Sequence, residues 1–301
     1  MKKMITAVLC LSLILGFAAC GGQNTESSED GKVKVSVTFD ALKEFAEAVG
    51  GDKVEISTII PDGTEPHDFE PKAKDLVGLS EAQVFIYNGL GMEAWVDNAV
   101  SAADNKALIA VNVSNGITPI SNTDATEVKE HGQYDPHIWL SFKCAETEVT
   151  NIKDALIKAD PKNKDYFESN ASSYIAQLES LYNEYADKFK TVEKKGIVTG
   201  HAAFAYMCRD FGLTQNSVED VFAEGEPSAQ QLTELVKYCK SNSVTTVFSE
   251  EMVSPEVSET LAGEVGAKVE TIYTVESAED GKTYLERMEE NLSKIYDSLA
   301  Q

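Results

Sequence analysis

The chain has 301 residues, 43% of them hydrophobic, and a formal net charge of -24. That length suits one large domain or two smaller ones, and the apolar content argues against a globally disordered chain. The acidity argues against nucleic acid and against electrostatic adhesion to anionic lipid; it suits a cationic partner and, equally, plain solubility.

Residues 1–20, MKKMITAVLCLSLILGFAAC, set Lys2 and Lys3 ahead of an apolar run that ends in small residues. This is the pattern of an export signal, too short and wrongly flanked for a transmembrane anchor. Its end, Phe17-Ala18-Ala19-Cys20, resembles the bacterial lipobox, with Phe17 where leucine is usual. The resemblance implies that Cys20 receives diacylglyceride and becomes the new N-terminus; an ordinary signal peptide with an incidental cysteine is the alternative. Residues 21–31, GGQNTESSEDG, carry no apolar side chain and read as a flexible tether.

From residue 32 strands and helices alternate. KVKVSVTF is a strand by its period of two, and DALKEFAEAVGG a helix with Asp40 placed to cap it and Gly50-Gly51 to end it. KVEISTII, AQVFIYNG and KALIAVNV follow as strands, separated by the helical segments KAKDLVGLSEA and EAWVDNAVSAADN. The βαβ order implies a mostly parallel sheet with right-handed crossovers. Residues 163–191 form one amphipathic helix, with Phe167, Tyr174, Leu178, Leu181, Tyr185 and Phe189 at spacings of three, four or seven and Asp160-Pro161 as its start. The first pattern then returns. GIVTGH, LTQNSVEDVF, VTTVFSE and AKVETIYT are strands. AAFAYMCRDFG, SAQQLTELVKYCKSN, PEVSETLAGEVG and YLERMEENLSKIYDSLA are helices, with Ser228 and Gln231 at capping-box spacing and Ser254-Pro255 opening the third. The expected organisation is an α/β lobe over 32–160, a linking helix over 161–193 and a second α/β lobe over 194–301. One continuous sheet is the alternative, but the linking helix is too long for an ordinary crossover. Being helical, it is also stiff, so the lobes should move little against each other.

Of five cysteines, Cys10 leaves with the signal and Cys20 is the lipid candidate. Cys144, Cys208 and Cys239 match no zinc-knuckle spacing. Cys208 and Cys239 either pair, as extracytoplasmic cysteines can, or are small buried apolar residues.

Three of the four histidines fall beyond the carboxyl ends of strands, where open α/β sheets bind ligands. His67 lies on the proline-flanked turn after KVEISTII, His137 follows Pro136 in YDPHIWLS, and His201 comes directly after GIVTG, opening the next helix. Singly, each has a plain structural explanation: a solvated turn, a histidine under Trp139, a helix cap. Jointly they supply two imidazoles from the first lobe and one from the second, and imidazole suits zinc. A helix N-terminus would also keep His201 neutral, the form that binds metal.

With these residues in view, the chain resembles the metal-binding lipoproteins of bacterial ABC importers, the zinc/manganese solute-binding family, over essentially its whole length after the signal. The specific pieces are IIPDGTEPHDFEPKAKDL, IYNGLGMEAW, YDPHIWLS, TGHAAFAYMCRDFGL and AEGEPSAQQL. The resemblance implies two (β/α)4 lobes with mostly parallel sheets joined by one long rigid backbone helix. It also implies a monomer outside the cytoplasmic membrane that holds one divalent ion between the lobes and passes it to a membrane permease driven by an ATPase. His67, His137 and His201 carry over as ligands. Histidine rather than glutamate at the third position favours Zn(II), with Mn(II), or iron in the same role, as the alternative. The fourth ligand is a carboxylate in TIYTVESAEDGKTY: Glu276 is the choice, Glu279 and Asp280 its rivals. Its loop has a glycine nearby and is the expected mover at release. Zinc members often carry a histidine-rich loop before DPHIW; here that stretch is short, with His131 alone as a possible zinc recruiter. Glu250, at a strand end, is placed to steady His201 or Glu276. A secreted zinc hydrolase is a rival reading, opposed by the absence of HExxH and by a carboxylate in the fourth position. An adhesin on the same fold is another.

Overall fold

The computed structural model describes residues 31–122, 128, 132–221, 228–251, 254–278 and 280–301. The expected signal and Cys20, with His131 and Glu279, lie outside these residues, as does nearly all of the tether.

In the first half, β1 (Val33–Val37), β2 (Val54–Thr58), β3 (Val84–Tyr87) and β4 (Ile109–Asn112) form a parallel sheet in the order β2-β1-β3-β4. The central strands β1 and β3 are nearly continuous buried runs, as strands covered on both faces must be, whereas β2 at the edge alternates with exposed residues. Helix α1 (Asp40–Gly50) buries Leu42, Phe45, Ala46 and Val49, one helical stripe. Asp40 does not cap it: Phe39 holds the cap position, and the Asp40 carboxylate turns inward to Arg287. The helix expected over 72–82 is regular only as α2 (Val77–Glu81), because the Asp75 side chain takes the Lys72 backbone N–H at 2.8 Å and holds a turn instead. α3 (Val96–Ala103) lies where the pattern places it. The pattern did not predict α4 (Phe142–Ala159), whose apolar seam of Ala145, Val149, Ile152 and Leu156 is broken by the buried Glu148.

Helix α5 (Lys164–Lys190) has 27 residues and is about 40 Å long at 1.5 Å per residue. A 3-10 turn, Pro161–Asn163, precedes it, with the Asp160 side chain accepting from the Lys162 N–H. α5 packs against α1 and α4 of the first half and against the closing helix of the second, α9 (Tyr284–Leu299).

The second half contains β5 (Gly196–Thr199), β6 (Thr214–Ser217), β7 (Thr246–Glu250) and β8 (Lys268–Ile272). β5 pairs with β6 and β7 with β8, both in parallel, and β5 lies against β7. The lateral order β6-β5-β7-β8 therefore repeats that of the first sheet, although the hydrogen-bonded ladder is made as two pairs. The strand expected over 213–222 ends at Ser217, because the Val218 and Glu219 N–H groups fold back onto the Gly200 carbonyl at 2.9 and 2.7 Å. α6 (Ala205–Phe211), α7 (Ala229–Ser241) and α8 (Glu256–Val265) complete the half. The Ser228–Gln231 capping box is formed, while α8 starts one residue later than expected, with Pro255 at its cap.

One hydrophobic core runs from the first half through α5, α6 and α9; a smaller one lies between β5, β7, α7 and α8. Cys208 belongs to the larger and Cys239 to the smaller, and both, with Cys144, are buried free thiols. The disulfide is not formed, and the reading as buried apolar residues stands. No helix among the described residues is long and apolar enough to cross a membrane.

Candidate metal centre

Four loops at the carboxyl ends of strands build the site. After β2, Ile59 and Ile60 stay paired to β1 through their N–H groups, at 2.9 Å each, before the chain turns through Pro61–Pro66. Gly63, at φ 75, permits that turn, and the Glu65 carboxylate accepts the His67 backbone N–H at 3.2 Å. His137 is held more firmly. The Asp135 Oδ1 accepts both the His137 backbone N–H and its Nδ1–H, each at 2.9 Å, and the Asn88 amide donates to the Pro136 carbonyl at 2.8 Å. Ile138, Trp139 and Leu140, all fully buried, anchor the following turn. This bond to Asp135 assigns the proton to Nδ1 and leaves the Nε2 lone pair facing inward.

His201 does not open a helix; it lies in the bend between β5 and α6, which begins at Ala205. The Glu250 Oε1 accepts its backbone N–H at 3.1 Å, and its carbonyl accepts from Thr199 Oγ1 at 2.7 Å and Gln215 Nε2 at 3.0 Å. A Cβ on the preceding Gly200 would stand 2.0 Å from the Glu250 carboxylate, so glycine is needed for this approach. Burial, with the nearby His137, pushes the His201 pKa well down and keeps the ring neutral; this replaces the helix-end explanation. Burial also raises the Glu250 carboxyl to about 8. Glu250 thus steadies His201, as expected for one of its two candidate roles, chiefly through the backbone, since its carboxylate is 3.8 Å from Nδ1.

Glu276 follows Val275, a β-branched residue at φ 61, where only a well-determined surrounding keeps it. The Glu251 carboxylate supplies part of that, accepting the N–H groups of Thr274 at 3.0 Å and Val275 at 3.3 Å. The Trp139 indole adds another bond, to the Thr274 carbonyl at 2.7 Å. Glu276 Oε2 accepts from Thr274 Oγ1 at 3.0 Å, while its Oε1 is buried with no hydrogen-bond partner. Burial, and then the charges of Glu65 and Glu251, push this carboxyl well above its ordinary range. Of its rivals, Asp280 turns away to Lys282 and the Tyr273 hydroxyl, at 2.9 Å each.

His137 Nε2 lies 3.1 Å from His67 Nε2 and 3.3 Å from His201 Nε2. Glu276 Oε1 is 3.8 Å from His137 Nε2 and 4.0 Å from His67 Nε2. One donor atom from each of the four residues falls within 4.8 Å of all the others. Around a tetrahedral zinc with bonds of about 2.0–2.1 Å, neighbouring donors stand about 3.3 Å apart, the spacing of the imidazole pairs here. Lone pairs brought this close repel unless a proton or a cation lies between them, and a divalent ion satisfies all four at once. Sequence reasoning missed Asp135 and Glu251; only the Asp-Pro-His spacing of Asp135 carried a readable signal.

Residues 35–298 match the family model of the periplasmic zinc-uptake complex component A, ZnuA. The chain belongs to this family. A Treponema pallidum protein named for metal binding is 46% identical over 273 residues, covering 88% of this chain and 86% of its own. The high-affinity zinc uptake system protein ZnuA of Bacillus subtilis is 36% identical over 314 residues, covering 99% and 98%. The crystal structure of a zinc-bound ZnuA lacking residues 138–173 superposes with a TM-score of 0.80 at 32% identity, covering 90% of this chain and 99% of that one. The ZnuA family is one of zinc uptake, not an enzyme family, and its setting is extracytoplasmic.

Proposed function

We propose that this chain is the zinc-capturing component of an ABC importer, and that His67, His137, His201 and Glu276 bind the ion. The observation that carries this reading is the approach of three imidazole nitrogens and one otherwise unpartnered carboxylate oxygen to a common centre. The donor set is imidazole-rich, which suits zinc; an oxygen-rich set would suit manganese. Three neutral rings and one carboxylate leave a zinc complex of net charge about +1, facing the neighbouring carboxyls of Glu65 and Glu251. With Glu276 in the fourth position no site stays open for an activated water, so the task is capture and delivery, not hydrolysis.

In this reading the lobes are residues 32–160 and 194–301, and 161–193 is the rigid link. Cys20 carries the lipid that holds the monomer at the outer face of the cytoplasmic membrane, and residues 21–31 give it reach to the permease. Delivery follows if the permease favours a state in which the ligands stand apart, because a partner shifts a binding equilibrium only through its preference for one state.

The test is elemental analysis of protein purified without added metal, followed by competition titration of zinc against manganese and iron. About one zinc per chain, with affinity lost in His201→Ala, is the expected result. Stoichiometric manganese or iron with weak zinc affinity overturns the assignment of zinc. Membrane partitioning of the full chain tests the anchor: Cys20→Ala should move it to the soluble fraction.

A further inference from the structure

Arg287 has no place in the ligand set, yet it is a fully buried cation at the junction of the two halves. It projects from α9 of the second half. Its Nη2 donates to Asp40 Oδ2 at 2.6 Å and also to Glu44, both on α1 of the first half. Its Nη1 donates to the Ser277 carbonyl at 2.6 Å, one residue beyond Glu276. Two more bonds run the same way. The Asp40 N–H donates to the Glu276 carbonyl at 3.4 Å, and the Gly63 N–H of the His67 turn donates to Ser277 Oγ at 2.7 Å. The Tyr284 N–H, at the start of α9, donates to the other Glu44 oxygen at 2.6 Å. The loop that carries Glu276 belongs to the second half in sequence, and Glu251 of that half holds its start at Thr274 and Val275, but at Glu276 and Ser277 its fastenings lead to α1 and to the His67 turn. His201 is fastened differently: Thr199, Gln215 and Glu250 all belong to the second half.

We propose that Arg287 is a positioning residue for Glu276. By joining the Ser277 carbonyl to Asp40 and Glu44, it fixes the carboxylate to the first half beside His67 and His137. The four donors then divide three to one, with His201 the ligand that parts from the others when the halves separate. This opposes the expectation that the Glu276 loop moves first. The planar guanidinium is suited to the task, since it donates to a carbonyl and two carboxylates at once in a fixed geometry; a lysine ammonium cannot reproduce that fork.

The inference rests on the zinc-binding reading for its consequence, but not for its test. Arg287→Lys keeps the buried charge, and Ser277→Ala cuts the tie to Gly63 without touching it. Hydrogen exchange of the metal-free protein should show faster exchange at residues 274–278 in both variants, with residues 199–202 unchanged. Zinc release into excess chelator should quicken about 10- to 100-fold in Arg287→Lys, the usual range for a residue that orients a ligand. The visible spectrum of the cobalt-substituted protein should change with it. Folded variants with unchanged exchange, release and spectrum overturn the proposal, as does loosening spread equally over both halves. If the wild-type chain fails to hold zinc while 274–278 still loosen selectively, the positioning role stands and the zinc reading falls.

Discussion

Asp135 is the most direct handle on how firmly the centre is built. Its Oδ1 takes two hydrogen bonds from His137, one from the backbone and one from Nδ1, both at 2.9 Å and both buried. Asp135→Asn keeps an acceptor oxygen for both bonds and loses only the charge that makes the imidazole a better donor. It should weaken zinc binding about tenfold, about 1.4 kcal/mol. Asp135→Ala removes the acceptor altogether and frees the ring to turn. Its expected loss is about 100-fold, or about 2.7 kcal/mol of binding. It should also destabilise the fold by about 1–3 kcal/mol for each buried N–H left unpaired. Competition with a chromogenic chelator at neutral pH measures the affinity, and denaturant titration of the metal-free protein measures stability. A folded Asp135→Ala that binds zinc as tightly as wild type would refute the reasoning that His137 must be oriented in advance.

Glu148 is fully buried, neither of its oxygens has a hydrogen-bond partner, and burial holds its carboxyl well above the ordinary range. The native state therefore keeps a proton that the unfolded chain releases as pH rises past about 4.5, so stability falls as pH increases, by about 1.4 kcal/mol per unit while the native group stays protonated. Glu148→Gln should remove that slope, making the variant's advantage in urea titrations larger at pH 7 than at pH 5; parallel curves would show the assignment to be wrong. Zinc at a thousand times its dissociation constant should stabilise the native protein by about 4 kcal/mol and raise Tm by about 10 °C, reversibly on chelation; no shift would mean no native zinc site. Cys208, whose thiol burial pushes up to about 12, should resist thiol reagents together with Cys144 and Cys239 until the protein unfolds. Native reactivity at any of the three, followed by mass spectrometry, would contradict their burial.

Strand and helix order was readable because each element carries its own periodicity: the alternation of β1, the unbroken apolar run of β3, the stripe of α1, and the 27-residue α5 with no glycine or proline to stop it. Helix α4 was not readable, since buried Glu148 interrupts its stripe, and the strand expected over 213–222 was too long, since the Gly200 carbonyl draws the chain back at Val218. The rule that ligands gather beyond strand ends, together with the local signatures around His67, His137 and His201, was enough to nominate the histidines. Glu276 needed the resemblance as well, because carboxylates crowd its loop and nothing local ranks them.

Sequence by itself determined which segments become strand or helix and which side chains carry chemistry, because those properties are set by neighbours within a few positions. Tertiary structure alone decided what supports the site. Glu250 beneath His201 joins two strand ends that only the second sheet brings together, and Arg287 reaching from α9 to Asp40 across 247 positions joins surfaces that meet only when the two halves close on one another; Asp135, two positions from His137, was within local reach, but only the fold turns its carboxylate to the ring. Burial decided the rest: the same closure strips water from Glu276, Glu250 and His201, and so sets protonation states that no local pattern encodes.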